Sequence, residues 1–171
     1  FPTRHYSDLL GSEVKELSIN FPEFSFFFTT KETLDIASSI DVENFIKKRA
    51  ITIILNCSAY TAVDKAETEI ELSNLINNIA VKNLAVISKK RNIKLIHVST
   101  DYVFDGRNYI PYKEDDITNP QSQYGKSKLE GENAILEINP FNSIIIRTSW
   151  VYSSYGNNFV KTMFRLSKEK D

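Results

Sequence analysis

The chain has 171 residues, 42% of them hydrophobic and 25% charged, which is enough for one domain with a real core and ordinary for a globular protein. A formal net charge of −1 excludes strong electrostatic attraction to nucleic acid or to an anionic membrane surface. No apolar run reaches the roughly 20 residues of a membrane span, and no basic segment followed by an apolar one marks a secretion signal. Cys57 is the only cysteine, so no intramolecular disulfide can form and a reducing compartment is implied. These features together lead us to expect a cytoplasmic protein that partners neither nucleic acid nor membrane.

Phe1 to Asp8 shows no clear strand pattern. Leu9–Leu17 has helical spacing, with Leu10, Val14 and Leu17 on one side. The aromatic run Phe24–Phe28 predicts a short strand. Asp41–Arg49 is acidic at its start and basic at its end, which suits a helix dipole. Thr52–Cys57 is a continuous apolar run, the kind buried on both faces of a parallel sheet. A long, mostly helical stretch then covers Ala66–Arg91, with Leu72, Leu75, Ile76, Ile79, Val86 and Ile87. Lys94–Ser99 is the next strand, Arg107–Asn119 is a polar loop containing Pro111, and Pro120–Glu137 is helical. Asn142–Thr148 is another buried strand and Asn157–Lys170 a closing helix. This alternation predicts an α/β protein with a Rossmann-like, doubly wound parallel sheet in three α/β/α layers, as a single domain over residues 1–171.

The chemistry concentrates at one strand end and one helix start. Thr100 follows the strand Lys94–Ser99, at the carboxyl edge where open α/β sheets bind their ligands. Tyr124 and Lys128 are four residues apart, so a helix places them on one face. The other Tyr-x-x-x-Lys pair, Tyr109 and Lys113, encloses Pro111 and cannot hold helical spacing. On spacing alone, Tyr124 and Lys128 equally suit a solvated helix face; the Ser99-Thr100 strand end favours a site. A phenol near pKa 10 is a weak acid–base group at neutral pH, and a neighbouring ammonium would lower that value. Thr100 would hold a carbonyl near the phenol, and Asn56 with Ser58-Ala59-Tyr60 would line the cofactor side from another strand end. A glycine-rich turn that cradles a pyrophosphate would precede the first helix, yet Gly11 stands alone there. Arg4, Ser7 and Ser12 are the candidate substitutes, and weak dinucleotide binding is the expectation.

Five blocks carry a family resemblance: Ser99-Thr-Asp-Tyr-Val-Phe-Asp-Gly106, Pro111-Tyr112 with its acidic run to Asp116, Asn119-Pro120, Tyr124-Gly-Lys-Ser-Lys-Leu-Glu-Gly-Glu132 and Arg147-Thr-Ser-Trp-Val-Tyr152. Together with Ala59 to Glu67 and Asn157 to Lys161, they resemble dTDP-4-dehydrorhamnose reductases, which are extended short-chain dehydrogenases/reductases. The resemblance covers Leu10 to the C-terminus. It implies a catalytic set of Thr100, Tyr124 and Lys128. It places Gly11, Lys31, Asp35, Ile36, Asn56, Ala59, Tyr60 and Ser99, with Tyr124 and Lys128, at an NADPH or NADH cofactor. It places Thr100, Asp101, Tyr102 and Trp150 at the dTDP-sugar substrate and assigns no residue to a metal.

The implied reaction reduces the 4-keto group of dTDP-4-dehydro-L-rhamnose to dTDP-L-rhamnose, for cell-surface polysaccharide such as O-antigen, and a homodimer is an expected state. Thr29, Thr30 and Lys31 after the second strand suit a 2′-phosphate, so NADPH should serve at least as well as NADH. Set against the family pattern, the glycine-rich opening and a C-terminal substrate subdomain are missing, as in a truncated copy. The alternatives are a non-catalytic relative like the methionine adenosyltransferase regulatory subunit, or another nucleotide-sugar reductase or epimerase.

Overall fold

The computed structural model describes residues 9–169. The expectations at Arg4, Ser7 and the other residues 1–8 lie outside them. Three parallel strands, β1 (Ile53–Asn56), β2 (Lys94–Thr100) and β3 (Ser143–Thr148), form a sheet in the order β1-β2-β3. Each strand is joined to the next through helices. Between β1 and β2 come α3 (Val63–Ala66), α4 (Ile70–Asn74), a π-helical turn (Leu75–Ile79) and α5 (Ala80–Arg91); between β2 and β3 comes α6 (Gln123–Ile138). Helices α1 (Leu10–Leu17) and α2 (Ser39–Arg49) precede the sheet and α7 (Phe159–Glu169) follows it. The α/β class and the parallel sheet are those read from the sequence.

Period-two alternation decides what the sheet buries. Ile54 of β1, Leu95 of β2 and Ile145 of β3 turn to the layer of α2, α5 and α6, where Val42, Ile46, Val81, Leu84, Ala85, Ile87, Ile93 and Ile135 pack as the core. The other face differs from the continuous burial expected for these strands. Ile53, Leu55, Ile144 and Ile146 are 40–47% exposed, and α1 and α7 have no buried residue. Among the described residues, one helical layer is closely packed against the sheet.

Local chemistry sets the helix ends. Ser38 caps α2 by accepting the Asp41 N–H, and Ser122 caps α6 by accepting the Gly125 N–H. The two helices thus start at Ser39 and Gln123, not at Asp41 and Pro120. Ala50 and Asn92 take the left-handed conformation that closes α2 and α5. The stretch expected as one long helix breaks at Glu67–Glu69 and then runs from Ile70 to Arg91 through the π turn. Glu43 of α2 accepts from Lys90 and Arg91 of α5, at 3.0 and 2.6 Å, and its carboxyl is held down to about 2 by these two cations.

Phe24–Phe28 is not a strand. It joins no ladder, and its rings pair locally instead, Phe26 stacking on Phe28 and Phe27 meeting Phe45 edge-on beneath Arg49. A strand exists only by pairing, and no strand among the described residues lies beside it.

Helix α6 lies unusually near its neighbours because two of its residues have no side chain. A Cβ at Gly131 would stand 2.2 Å from the Asn77 carbonyl oxygen of the π turn, and one at Gly125 would stand 2.3 Å from the Tyr102 carbonyl oxygen. Backbone cannot yield there as a flexible side chain would. Gly131→Ala should therefore lower stability by about 1–3 kcal/mol, the usual cost of overpacking. Gly11→Ala, whose Cβ would meet nothing within 4 Å, should not lower it. Urea unfolding of the two variants checks this, and equal midpoints would show that α6 is not seated on the π turn.

Candidate active site at the β2–α6 seam

A cleft of about 250 Å³ opens at the carboxyl edge of the sheet. Its wall includes Leu9 and Leu10 at the start of α1, Cys57 and Ala59 after β1, Val98 to Tyr102 at the end of β2, Tyr124 and Lys128 of α6, and Thr148 to Val151 after β3. The parallel register explains this convergence, since it aligns Asn56 with His97 and Thr100 with Thr148. β2 and β3 thus end at one level, and β1 ends three residues earlier, beside His97.

Thr100, Tyr124 and Lys128 meet on this wall as the sequence implied. Thr100 is the last residue of β2, where its hydroxyl donates to Asp101 Oδ1 at 3.1 Å and accepts the Tyr102 N–H at 3.2 Å. The Tyr124 ring packs edge-on against Tyr102, with centroids 5.5 Å apart. Lys128 is 1% exposed, and its Nζ donates to the Val98 carbonyl at 2.7 Å. The solvated-face reading of Tyr124 and Lys128 therefore does not hold: both side chains are buried.

The expected electrostatics are corrected in one respect. Burial pushes the Tyr124 phenol up, with Asp101 and Tyr102 adding to the rise, while a hydrogen bond with Thr100 opposes it. Lys128 does not lower it, because its nitrogen is turned inward to Val98 and His97. Burial in turn pushes Lys128 down to about 8, against opposing pulls from Glu132 and Cys57. The site as it stands therefore holds a neutral phenol, which is the proton-donating form.

The other candidates divide. Ala59, Ser99, Asp101, Tyr102 and Trp150 line the cleft. Trp150 takes a left-handed φ of 52°, rare for a bulky residue, and packs on Phe159. Asn56 is buried one layer behind, bonded to Ser58 N and His97. Tyr60 turns away, its hydroxyl donating to Glu69 at 2.8 Å, while Asn77 of the π turn grips its backbone N–H and carbonyl. Asn77 also donates to Ser127 of α6, so one side chain ties the loop after β1 to α6. A π turn at such a point is a recurrent feature of functional sites. Gly11, Lys31, Asp35 and Ile36 are not part of the cleft wall; Lys31 is exposed on a turn and Asp35 Oδ1 accepts the Ala37 N–H.

Two functional neighbours were not picked out from the sequence. His97 sits at a core-facing position of β2, and a histidine inside an apolar strand was the available signal. Glu132, 1% exposed, holds Arg147 of β3 at 2.7 Å, and that guanidinium caps the Phe104 ring at 4.9 Å. Glu132 lies one helical turn beyond Lys128, a spacing that marks a shared face.

Comparison with known proteins fits this geometry. A cleft at the carboxyl ends of a parallel sheet is where α/β folds of the Rossmann type bind their ligands. The chain belongs to the RmlD substrate binding domain family, whose model matches residues 7–171. It is 43% identical over 162 residues to a dTDP-4-dehydrorhamnose reductase of Aggregatibacter actinomycetemcomitans, covering 95% of this chain and 55% of that protein. It is 46% identical over 150 residues to one of Sinorhizobium fredii, covering 88% and 50%. Its structure is similar to that of the Bacillus anthracis dTDP-4-dehydrorhamnose reductase in complex with NADP, with a TM-score of 0.91 and 40% identity, covering 97% of this chain and 59% of that one. The chain spans about half the length of the curated relatives it matches.

The half-buried thiol of Cys57 offers a check on this wall. Burial pushes Cys57 up to about 11 and the Lys128 charge opposes it, so little thiolate exists at pH 8. Modification by a disulfide reagent at pH 8 should be at least about tenfold slower than in the unfolded chain and should quicken as pH rises towards 11. Equal rates in the folded and unfolded protein would mean that the wall is open behind Lys128.

Proposed function

We propose that this chain is the cofactor-binding and catalytic domain, over residues 1–171, of a cytoplasmic NAD(P)H-dependent dTDP-4-dehydrorhamnose reductase. The observation that carries the reading is the meeting of Thr100, Tyr124 and Lys128 on one cleft wall, in a chain whose relatives of that name match it over most of its length. The residues fit a dinucleotide. Thr61 Oγ1 and Ser99 Oγ are buried at the wall without a hydrogen-bond partner, and Leu9, Leu10, Val98 and Val151 give it an apolar lining for a ring. The start of α1 opens into the same cleft and suits a phosphate, while Lys31, Asp35 and Ile36 are assigned to the adenosine end.

Reduced nicotinamide would supply the hydride when bound. This chain's own residues supply orientation and the proton. Thr100 turns its hydroxyl from Asp101 to the 4-keto oxygen and holds it beside the phenol. Tyr124, kept neutral by burial, then gives its proton to that oxygen as it becomes an alcohol. Lys128, when it carries its proton, offsets the phenolate that remains. Asp101, Tyr102 and Trp150 border the sugar and nucleotide of the dTDP substrate. NADPH is accepted at least as well as NADH, with Lys31 beside the 2′-phosphate.

Tyr124→Phe removes the proton donor and little volume. Single-turnover NADPH oxidation with the dTDP-4-keto sugar should fall by about 10²–10⁴-fold, while NADPH affinity by calorimetry changes less than about threefold. Near-normal turnover in the variant would refute the role of Tyr124. Lys31→Glu should raise the Michaelis constant for NADPH and leave that for NADH nearly unchanged; an equal response of both cofactors would remove Lys31 from the 2′-phosphate.

A further inference from the structure

One buried titratable side chain has close polar partners on both sides and no part in the chemistry above. His97 is fully buried, with Nδ1 3.0 Å from Asn56 Nδ2 and Nε2 3.2 Å from Lys128 Nζ. Asn56 is oriented by the backbone, because the Ser58 N–H donates to its Oδ1 at 3.1 Å. The amide must then present its NH₂ group to His97, so Nδ1 accepts. A neutral imidazole carries one proton, and here that proton sits on Nε2, facing the Lys128 nitrogen. An N–H directed at a nitrogen needs a lone pair there, and an ammonium has none. The hydrogen bonds therefore run in one direction, from Ser58 through Asn56 and His97 to Lys128, and on from Lys128 to the Val98 carbonyl.

We propose that His97 is a positioning residue which, oriented by Asn56, aims its Nε2–H at Lys128 and so weakens the hold of Lys128 on its proton in the unliganded protein. The groups facing Lys128 are consistent with this. From the β1 side, the Cys57 thiol is pushed up to about 11 by burial and stays uncharged at neutral pH. From α6 itself, the Tyr124 phenol is pushed up by burial and is neutral too. Glu132 is the one buried carboxylate on that helix face, and Arg147 of β3 holds it in a bidentate pair. Burial holds His97 well below its ordinary value, which keeps a single proton on the ring, and burial pushes Lys128 down to about 8. The protonation claim stands on this geometry; only its use in turnover rests on the reductase reading.

The test is spectroscopic. The chain has two histidines, so ¹⁵N-histidine spectra resolve the tautomer of His97, assigned by its loss in His97→Gln. Lysine labelled with ¹³C at Cε reports Lys128, assigned in Lys128→Met. The expected result is an Nε2–H tautomer from about pH 6 to 9 and a Lys128 midpoint near 8, set apart from the surface lysines. An Nδ1–H tautomer, or a Lys128 that stays charged through about pH 10, overturns the proposal. Asn56→Asp keeps the acceptor for Ser58 and replaces the donor facing Nδ1 by an acceptor. It should reverse the tautomer and raise the Lys128 midpoint by at least about one pH unit, a tenfold change in proton affinity. An unchanged tautomer in folded Asn56→Asp overturns the proposal as well. The unsubstituted protein decides alone if that variant does not fold, and loss of reductase activity would leave these spectra unaltered.

Discussion

The close approach of α6 to the end of β2 is the constraint on which the site depends. Gly125 lets the first turn of α6 lie against the Tyr102 carbonyl, and Gly131 lets its middle lie against the π turn. Only at that distance can the Lys128 chain reach inward to Val98 and His97, while Tyr124, one turn earlier, stays at the cleft beside Thr100. The polar seam of Ser73, Asn77 and Ser127 holds the same contact from the other side, with Ser127 donating back to the Tyr124 carbonyl. A buried network of this kind is costly if partly broken and rigid when complete.

Rigidity at this seam has a chemical consequence. Burial raises the phenol and lowers the ammonium, so both groups drift towards their neutral forms. The pairing often assumed for a Tyr and a Lys on one helix face, a cation that acidifies the phenol, is absent while the lysine is engaged with the strand. In its place the site offers a protonated phenol, ready to donate, and a lysine whose charge depends on its buried partners.

Much of this was legible in the residues themselves. The strand-end position of Thr100, the four-residue spacing of Tyr124 and Lys128, and the breaker Pro111 between Tyr109 and Lys113 each pointed to one site, and Tyr109 is indeed almost fully exposed. The strand–helix alternation likewise gave the α/β class. What was not legible depends on partners distant in sequence. The aromatic run Phe24–Phe28 has every local mark of a strand, but pairing needs a neighbour, and its rings pack on each other and on α2 instead. The apolar runs Ile53–Leu55 and Ile144–Ile146 look buried on both faces, yet burial of the second face needs a layer that α1 and α7 do not close here. His97 was hidden for a related reason. Its importance comes from the register that sets Asn56 beside it and from the helix that brings Lys128 over it, and neither can be read along a single strand.

The seat of α6 is tested most directly at Gly125. A methyl group there meets the Tyr102 carbonyl at 2.3 Å, so the first turn of the helix must shift and carry the Tyr124 phenol with it. Displacement of a catalytic group by about 1 Å costs on the order of a hundredfold in rate. The single-turnover reduction rate of Gly125→Ala, measured on protein shown to unfold cooperatively, should fall by about that factor. A folded Gly125→Ala protein that reduces its substrate at the full rate would contradict the dependence of the site on this contact.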